Sequence, residues 1–168
     1  MSSLLETERL RLEHWTADAV EELLSLHGNA DVQRYLDARG ETWSREKAAR
    51  RLGEWQTEWR ELGLGKHRLV RRSDGAFVGR AGFSQFGDTP EIGYSLARNW
   101  WGQGYATEIA QALSDWFFAT RHEDRFVGFT HTGNLASIAV MRKIGMEPTH
   151  VAEIAGMPHQ FLIQRRPS

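Results

Sequence analysis

Residues 98–110 read Arg-Asn-Trp-Trp-Gly-Gln-Gly-Tyr-Ala-Thr-Glu-Ile-Ala, and they join a strand-like run to a long segment with apolar periodicity. A strand that turns through closely spaced glycines into a helix leaves several backbone N–H groups unpaired and directed at one point. Gly102 and Gly104 permit positive φ and a close approach of a ligand to the main chain. Because the dipole of the following helix favours negative charge at its N-terminus, this stretch predicts an anion-binding loop.

Two common phosphate-binding motifs do not fit this loop. A Rossmann fingerprint needs a third small residue three positions after Gly104, where Thr107 stands, and it needs a strand-borne acid that is absent. A Walker loop needs Gly-Lys-Ser/Thr, which occurs nowhere in the chain. Neither nucleotide motif accounts for the loop, and the remaining structural alternative is a glycine turn that only caps a helix.

The loop resembles the acyl-CoA pyrophosphate loop of the GNAT superfamily of N-acetyltransferases, whose usual pattern is Gln/Arg-x-x-Gly-x-Gly/Ala. Gly104 and Ala106 fill the last two fixed positions, and Trp101 stands where Gln or Arg is usual. The branch that includes the Rim-type ribosomal-protein N-terminal acetyltransferases shares this departure. The resemblance implies that acetyl-CoA, the acyl donor, is bound by the loop residues Trp101, Gly102, Gln103, Gly104, Tyr105, Ala106 and Thr107.

A second segment, residues 134–146, resembles the family pattern Asn-x-x-Ser-x-x-Val-x-x-Lys-x-Gly-Phe/Met. From the residues alone, Asn134 is a good helix N-cap, and the resemblance implies that it also hydrogen-bonds the pantetheine arm. Ser137 lies one turn later on the same helix face. The resemblance implies that the Ser137 hydroxyl contacts the sulfur of the departing CoA, and the alternative is a bond back to a carbonyl of its own helix.

The order of elements predicts a mixed α/β domain. We expect a strand, helices, three antiparallel strands, a crossover helix, a strand, a helix and two final strands. Periodicity alone gives an α+β or α/β fold with a mixed sheet. The resemblance implies the GNAT fold, a mostly antiparallel sheet with a splayed parallel central pair flanked by helices. Trp55 and Trp59, at helical spacing, are interpreted as core residues rather than as a substrate lip.

Length and composition narrow the class of protein. The 168 residues, 40% of them hydrophobic, predict one domain over residues 1–168. The formal net charge of -1 gives no general attraction to nucleic acid, and glutamates interleave with the arginines of residues 45–60. No apolar run approaches the length of a bilayer span. We therefore expect a cytoplasmic protein that binds neither nucleic acid nor membrane, as a monomer or homodimer.

Cysteine and histidine usage bears on the chemistry. The chain has no cysteine, which excludes a thiol nucleophile, disulfides and zinc–thiolate sites. The histidines show no metal-binding spacing, so we expect no metal.

Amine acetylation requires a base, because an ammonium ion has no lone pair with which to attack a thioester. Glu91 begins the strand that enters the loop, and the resemblance implies a catalytic carboxylate near this position. The alternative is that Glu91 is a solvated acid at a strand end. His131, at the end of the other central strand, is a second candidate, followed by His67 and His159.

The thioester carbonyl gains negative charge during attack, and this charge requires preorganised donors. The resemblance implies that a main-chain N–H of the strand before the loop supplies one. We expect it from Tyr94, Ser95 or Leu96, which we assign to cofactor binding. Catalysis then consists mostly of orientation and deprotonation, with no covalent enzyme intermediate.

The resulting hypothesis is transfer of an acetyl group from acetyl-CoA to a primary amine by direct attack. The amine is a protein N-terminus, as in the Rim-type branch, or a small molecule, since kinship of fold does not choose between them. The alternative is a non-catalytic acyl-CoA-binding module of the same fold.

Overall fold

The computed structural model describes residues 3–168, in which eight strands form one sheet in the order β1-β2-β3-β4-β5-β6-β8-β7. The strands are β1 (Ser3–Glu6), β2 (Leu10–Glu13), β3 (Gly65–Arg71), β4 (Phe77–Phe86), β5 (Thr89–Leu96), β6 (Arg125–His131), β7 (Glu147–Ile154) and β8 (Met157–Arg165). Adjacent strands are antiparallel except for β5 and β6, which are parallel. This arrangement confirms the predicted mixed sheet with a parallel pair at its centre.

Helices cover both faces of the sheet. They are α1 (Val20–His27), α2 (Ala30–Gln33), α3 (Arg45–Leu62), α4 (Tyr105–Thr120) and α5 (Leu135–Lys143). Because successive strand residues point to opposite faces, one face packs a cluster around Trp55 under α1 and α3. The other face packs Phe83 and Ile92 against α4 and α5. Trp55 is only 2% exposed, which confirms its interpretation as a core residue. Within residues 3–168, no helix combines the length and apolarity that crossing a membrane demands.

Two local features differ from the sequence expectations. β1 was not expected, because its four residues include two adjacent half-buried leucines instead of alternating polar and apolar positions. Residues 87–90, Gly-Asp-Thr-Pro, have the composition of a turn, but the turn is shorter than these four residues, since Thr89 and Pro90 already pair with β4 as the first residues of β5.

The parallel pair opens into a gap. β5 and β6 pair only at Glu91 opposite Val127 and at Ile92 opposite Gly128. Beyond these positions the two strands separate, while β5 remains paired with β4 and β6 with β8. The gap therefore has two rigid walls and lies where β5 leads into the glycine loop.

The core under α4 contains three phenylalanines in mutual contact. The ring centroids of Phe83 and Phe117 lie 4.8 Å apart, and each lies 5.1 Å from that of Phe126. All three are at most 1% exposed. This cluster joins α4 to β4 and β6, so it fixes the helix whose N-terminus carries the glycine loop.

We predict that Phe117→Ala lowers the free energy of unfolding by about 3–5 kcal/mol, because it leaves a cavity in a closely packed core. Denaturation in urea measures the change. Val151→Ala is the control, since Val151 is 58% exposed on β7 and its truncation should cost less than about 0.5 kcal/mol. Equal losses for the two variants would contradict this account of the core.

Candidate active site

The loop between β5 and α4 presents unpaired main-chain donors. Gly102 and Gly104 have φ values of 74° and 82°, and Gly104 is the N-cap residue of α4. Within residues 3–168, none of the N–H groups from Gly102 to Thr107 donates to a protein acceptor. Residues 101–104 are exposed. These donors and the positive end of the α4 dipole are therefore available to an anionic ligand.

The start of the chain holds the loop from one side. The Nε of Arg9 lies 2.7 Å from a carboxylate oxygen of Glu108 in α4, and the main-chain N–H of Arg9 donates to the other oxygen at 2.9 Å. The Nη1 of Arg9 donates to the carbonyl of Gln103 at 3.0 Å. Its guanidinium also lies 4.3 Å from the ring centroid of the buried Tyr105. Arg9 thus ties the loop and the first turn of α4 together.

Trp101 holds the other end of the loop. Its indole N–H donates to the carbonyl of Leu96, the last residue of β5, at 2.8 Å. The guanidinium of Arg98 lies 4.8 Å from its ring centroid. Trp101 therefore fixes the distance between the loop and the end of β5.

Alternation along β5 decides which main-chain groups face the gap. The N–H of Ala97 donates to the carbonyl of Val78 in β4, so residues at odd positions of β5 make the ladder to β4. The main-chain groups of Tyr94 and Leu96 point the opposite way, towards β6, where the strands have separated. Those of Ser95 are directed at β4. The gap is thus lined by the N–H groups of Tyr94 and Leu96.

The side chains of Tyr94 and Ser137 meet beside the gap. The Tyr94 hydroxyl lies 3.2 Å from the Ser137 hydroxyl and 3.3 Å from the Ser137 carbonyl oxygen. Burial raises the pKa of Tyr94 to about 12, so the phenol stays protonated at neutral pH. In the described part of the chain, the Ser137 hydroxyl makes no bond back to its own helix.

Asn134 caps α5. Its Oδ1 accepts a hydrogen bond from the N–H of Ser137 at 3.2 Å, and among residues 3–168 its amide nitrogen has no acceptor. The capping role and a role in binding a ligand are therefore compatible, because they use different atoms of the same side chain.

Glu91 lies on the other face of the sheet in a buried polar chain. A Glu91 carboxylate oxygen is 2.7 Å from Nζ of Lys66, and Nζ also donates to the Ser84 hydroxyl at 3.0 Å. Ser84 in turn donates to the half-buried Glu58 at 3.0 Å. Burial lowers the pKa of Lys66, while the charge of Glu91 opposes this shift. The Glu91 side chain is 14% exposed, so it is a partnered internal carboxylate and not a solvated acid.

The histidines considered as bases occupy different settings. His131 accepts the N–H of Gly133 at its Nδ1 and lies 5.1 Å from the ring of Tyr35. His159 is buried, with Nδ1 2.9 Å from the carbonyl of Met157. His67 is buried against His14 and Trp59. Only His131, at the end of β6, borders the gap.

A family model described as "Acetyltransferase (GNAT) domain" matches residues 9–147. The chain belongs to the GNAT acetyltransferase family. It is therefore an acetyl-CoA-dependent acetyltransferase. It is 34% identical to the protein YkkB of Bacillus subtilis (strain 168) over 130 residues, 72% of this chain and 71% of YkkB. It is also 26% identical to the N-acetyltransferase YoaA of the same organism, over 88% of this chain and 84% of YoaA.

The fold matches solved GNAT structures. A structure of RimL, a ribosomal L7/L12 alpha-N-protein acetyltransferase in complex with coenzyme A, superposes with a TM-score of 0.84 at 20% identity. The match covers 98% of each chain. At this identity the likeness shows the fold, and it confirms the expected GNAT architecture.

Several residues of the site escaped the sequence analysis. Lys66 was not expected beside Glu91, and Tyr94 was expected to act only through its main chain. The bond between Arg9 and Glu108 joins residues far apart in the chain, so no local pattern indicates it. β3 gives no such signal either, because its burial runs nearly unbroken from Gly65 to Val70 and does not set Lys66 apart by alternation. Among residues 3–168, no cluster of three or more histidine or acidic side chains is placed to hold a metal ion.

Buried neutral histidine makes stability depend on pH. Burial, with the neighbouring His14 and Lys66, lowers the pKa of His67 from 6.5 to about 3. The unfolded chain therefore binds more protons than the folded one between these values. The stability that neutral His67 permits is complete above pH 6.5 and is lost as the pH falls towards 3.

We predict that His67→Phe reduces the slope of unfolding free energy against pH by about 1.4 kcal/mol per pH unit between pH 4 and 6. Phenylalanine keeps the aromatic contact with Trp59 and removes the titrating group. Urea denaturation at a series of pH values measures the slope. His122→Gln, at an exposed position, is the control and should leave the slope unchanged. An unaltered slope in His67→Phe would contradict the assignment.

Proposed function

We propose that the N–H groups from Gly102 to Thr107 bind the pyrophosphate of acetyl-CoA, with the pantetheine arm in the gap between β5 and β6. The observation that carries the proposal is the unpaired state of these donors at the open end of the splayed pair. A β-carbon added at Gly102 would meet no protein atom within 4 Å, so a ligand can approach the main chain there. The amide nitrogen of Asn134 is free to hydrogen-bond the arm. The remaining loop side chains shape this site.

The protein acts on acetyl-CoA, the acyl donor, by orienting it and by stabilising the charge that develops on it. We infer that the N–H groups of Tyr94 and Leu96 stabilise the negative charge that develops on the thioester oxygen. The hydroxyls of Ser137 and Tyr94 donate to the sulfur that leaves, and the protonated phenol is able to supply a proton. Ser95 contributes through β4 pairing, which holds β5 straight beside the gap.

Glu91 takes the proton from the acceptor amine in this proposal. Its carboxylate lies at the point where β5 and β6 begin to separate, so it borders the gap from the face of α1 and α3. The chain through Lys66 and Ser84 to Glu58 connects it with the protein surface. The acceptor is a primary amine, of a protein N-terminus or a small molecule, and it is attacked directly without a covalent enzyme intermediate.

The acceptor side of the gap has a partial cover. Tyr35, in the segment after α2, contacts the ring of His131, and a β-carbon added at Gly133 would lie 3.3 Å from its Cε1. This contact joins the segment after α2 to the end of β6.

Because one sheet includes strands from Ser3 to Arg165, we propose that residues 1–168 act as one catalytic domain.

Gly104→Val tests the proposed binding site for acetyl-CoA. Valine resists the left-handed conformation at this position and crowds the loop, so we expect the variant to lose binding of CoA. Thermal unfolding with acetyl-CoA measures binding: at a hundred times the dissociation constant, the ligand should add about 2.7 kcal/mol of stability to the wild type. Gly53→Val is the matched control, because a β-carbon there meets nothing within 4 Å. Normal stabilisation of Gly104→Val by CoA would exclude this loop as the site.

Glu91→Gln tests the base. Glutamine keeps the size of the side chain but does not accept a proton, so we expect turnover to fall about 10²–10⁴-fold with little change in CoA affinity. Release of free thiol from acetyl-CoA in the presence of amine measures turnover. If the variant turns over at the wild-type rate, the proton is taken by water or by another residue.

A further inference from the structure

Two arginines face each other across β3 and β4 and have opposite surroundings. Arg68 and Arg80 are direct cross-strand partners on the face of α1 and α3. Arg68 is saturated by carboxylates: Nη1 lies 2.7 Å from Glu13, and Nε and Nη2 lie 2.7 and 2.6 Å from the two oxygens of Glu22. Arg80 has no carboxylate within 4.0 Å among the residues that the structure describes.

The Arg80 guanidinium is buried but incompletely bonded. The residue is 9% exposed, and its Nε lies 2.9 Å from Nε2 of His27. Within residues 3–168 its two terminal nitrogens have no hydrogen-bond acceptor, yet neither is sealed from solvent. One edge of the guanidinium is thus held by protein, and the edge with paired N–H groups is open.

His27 fixes the direction of that open edge. Burial and the charge of Arg80 lower the pKa of His27 to about 2, so the imidazole is neutral and accepts from Arg80. Its Nδ1 lies 2.7 Å from Oε1 of Gln33, whose amide donates to the carbonyl of Glu41 at 3.0 Å. The ring of Trp43 stacks on His27 with centroids 3.7 Å apart. These contacts hold Arg80 in place without neutralising it.

Neighbouring charges add to the positive field of Arg80. The guanidinium groups of Arg80 and Arg51 lie 5.0 and 5.1 Å from the Trp55 ring, and the ammonium of Lys47 lies 5.3 Å from the ring of Trp43. Burial, and then the charge of Arg51, lowers the pKa of Arg80 to about 10, so it remains charged at neutral pH. The more distant charge of Glu91 opposes this shift, but among the described residues no carboxylate contacts the buried cation. A negatively charged ligand in contact with Arg80 would lower the cost of its burial.

Arg80 stands beside the reaction centre. It pairs with Ser95 in β5, which lies between the two residues whose N–H groups line the gap. Its side chain emerges on the same face as that of Glu91, and the two charges interact, since the charge of Glu91 opposes the lowering of the pKa of Arg80. A small acceptor that carries both an amine and an anionic group would therefore meet Glu91 and Arg80 together.

We propose that Arg80 binds an anionic group of the acceptor, so that the substrate is an amine carrying a carboxylate or a phosphate. The open edge of the guanidinium matches the two oxygens of either group in a bidentate contact. Lys47 and Arg51 attract such a substrate to the α1 and α3 face. This inference rests on the proposed acetyl transfer and names the class of its acceptor.

Matched pairs of amines test the proposal. An amino acid is compared with its amide, and phosphoethanolamine with ethanolamine, by kcat/KM for acetyl transfer. We expect Arg80→Met to reduce kcat/KM for the anionic member of at least one pair about 10- to 100-fold, and to leave the neutral member unchanged. For each variant, the kcat/KM for the anionic amine is divided by that for its neutral partner, and this ratio is compared with the wild-type ratio. The comparison cancels the difference in basicity between the two amines. The pair that responds distinguishes carboxylate from phosphate, and Arg80→Lys should retain part of the preference.

Arg68→Met is the matched control. It removes the neighbouring arginine and leaves Glu13 and Glu22 without their partner, so it should lower the midpoint of thermal unfolding and preserve the acceptor preference. Arg80→Met should lower the midpoint less than Arg68→Met does, because it removes a buried charge and leaves only the Nε2 of His27 without its donor.

Two results would overturn the proposal: a ratio that Arg80→Met leaves unchanged in every pair, or rejection of all anionic amines by a protein that acetyl-CoA stabilises. If acetyl-CoA does not stabilise the wild type, the proposed function fails, and this inference fails with it.

Discussion

The site depends on a helix N-terminus whose donors are kept free of protein acceptors. Exposed amides of this kind are ordinarily satisfied by caps or by neighbouring backbone, but Gly104 lacks a capping side chain. Arg9 and Trp101 hold the two ends of the loop in position instead. The acidic Glu108 in the first turn of α4 would otherwise compete with an anionic ligand, and its contact with Arg9 offsets that charge. Arg9 therefore both holds the loop in position and offsets the negative charge of Glu108.

Strand alternation divides the chemistry between two faces of one sheet. β5 directs the Tyr94 side chain towards α5, its main-chain N–H into the gap, and the side chain of Glu91 towards α3. In the proposed reaction, the groups that hold acetyl-CoA and the groups that receive the amine are therefore separated by the thickness of a single strand. The amine would approach the thioester from one face while the other face holds it. Arg80, one strand away, would extend the face that receives the amine.

Short-range patterns were sufficient to predict the loop, the α5 cap and the order of most elements. Gly102, Gly104 and Asn134 act through their own backbone neighbourhoods, so a few residues of context identify them. The partners of Arg9, Glu91 and Arg80 depend instead on strand register between distant segments, which sequence periodicity does not specify. For the same reason, the sequence left a solvated Glu91 open as the alternative to a catalytic one, and the hydroxyl of Tyr94 was overlooked. The short β1 lacks the alternation that would have indicated it.

The most direct test of the account is the response of individual amides to the donor. In ¹⁵N-labelled protein titrated with CoA, the N–H signals of residues 102–107 should show the largest chemical-shift changes and slower exchange with solvent. Those of Tyr94 and Leu96 should follow as the arm fills the gap. Saturation with CoA that leaves the signals of residues 102–107 unmoved, while amides elsewhere respond, would contradict the central claim.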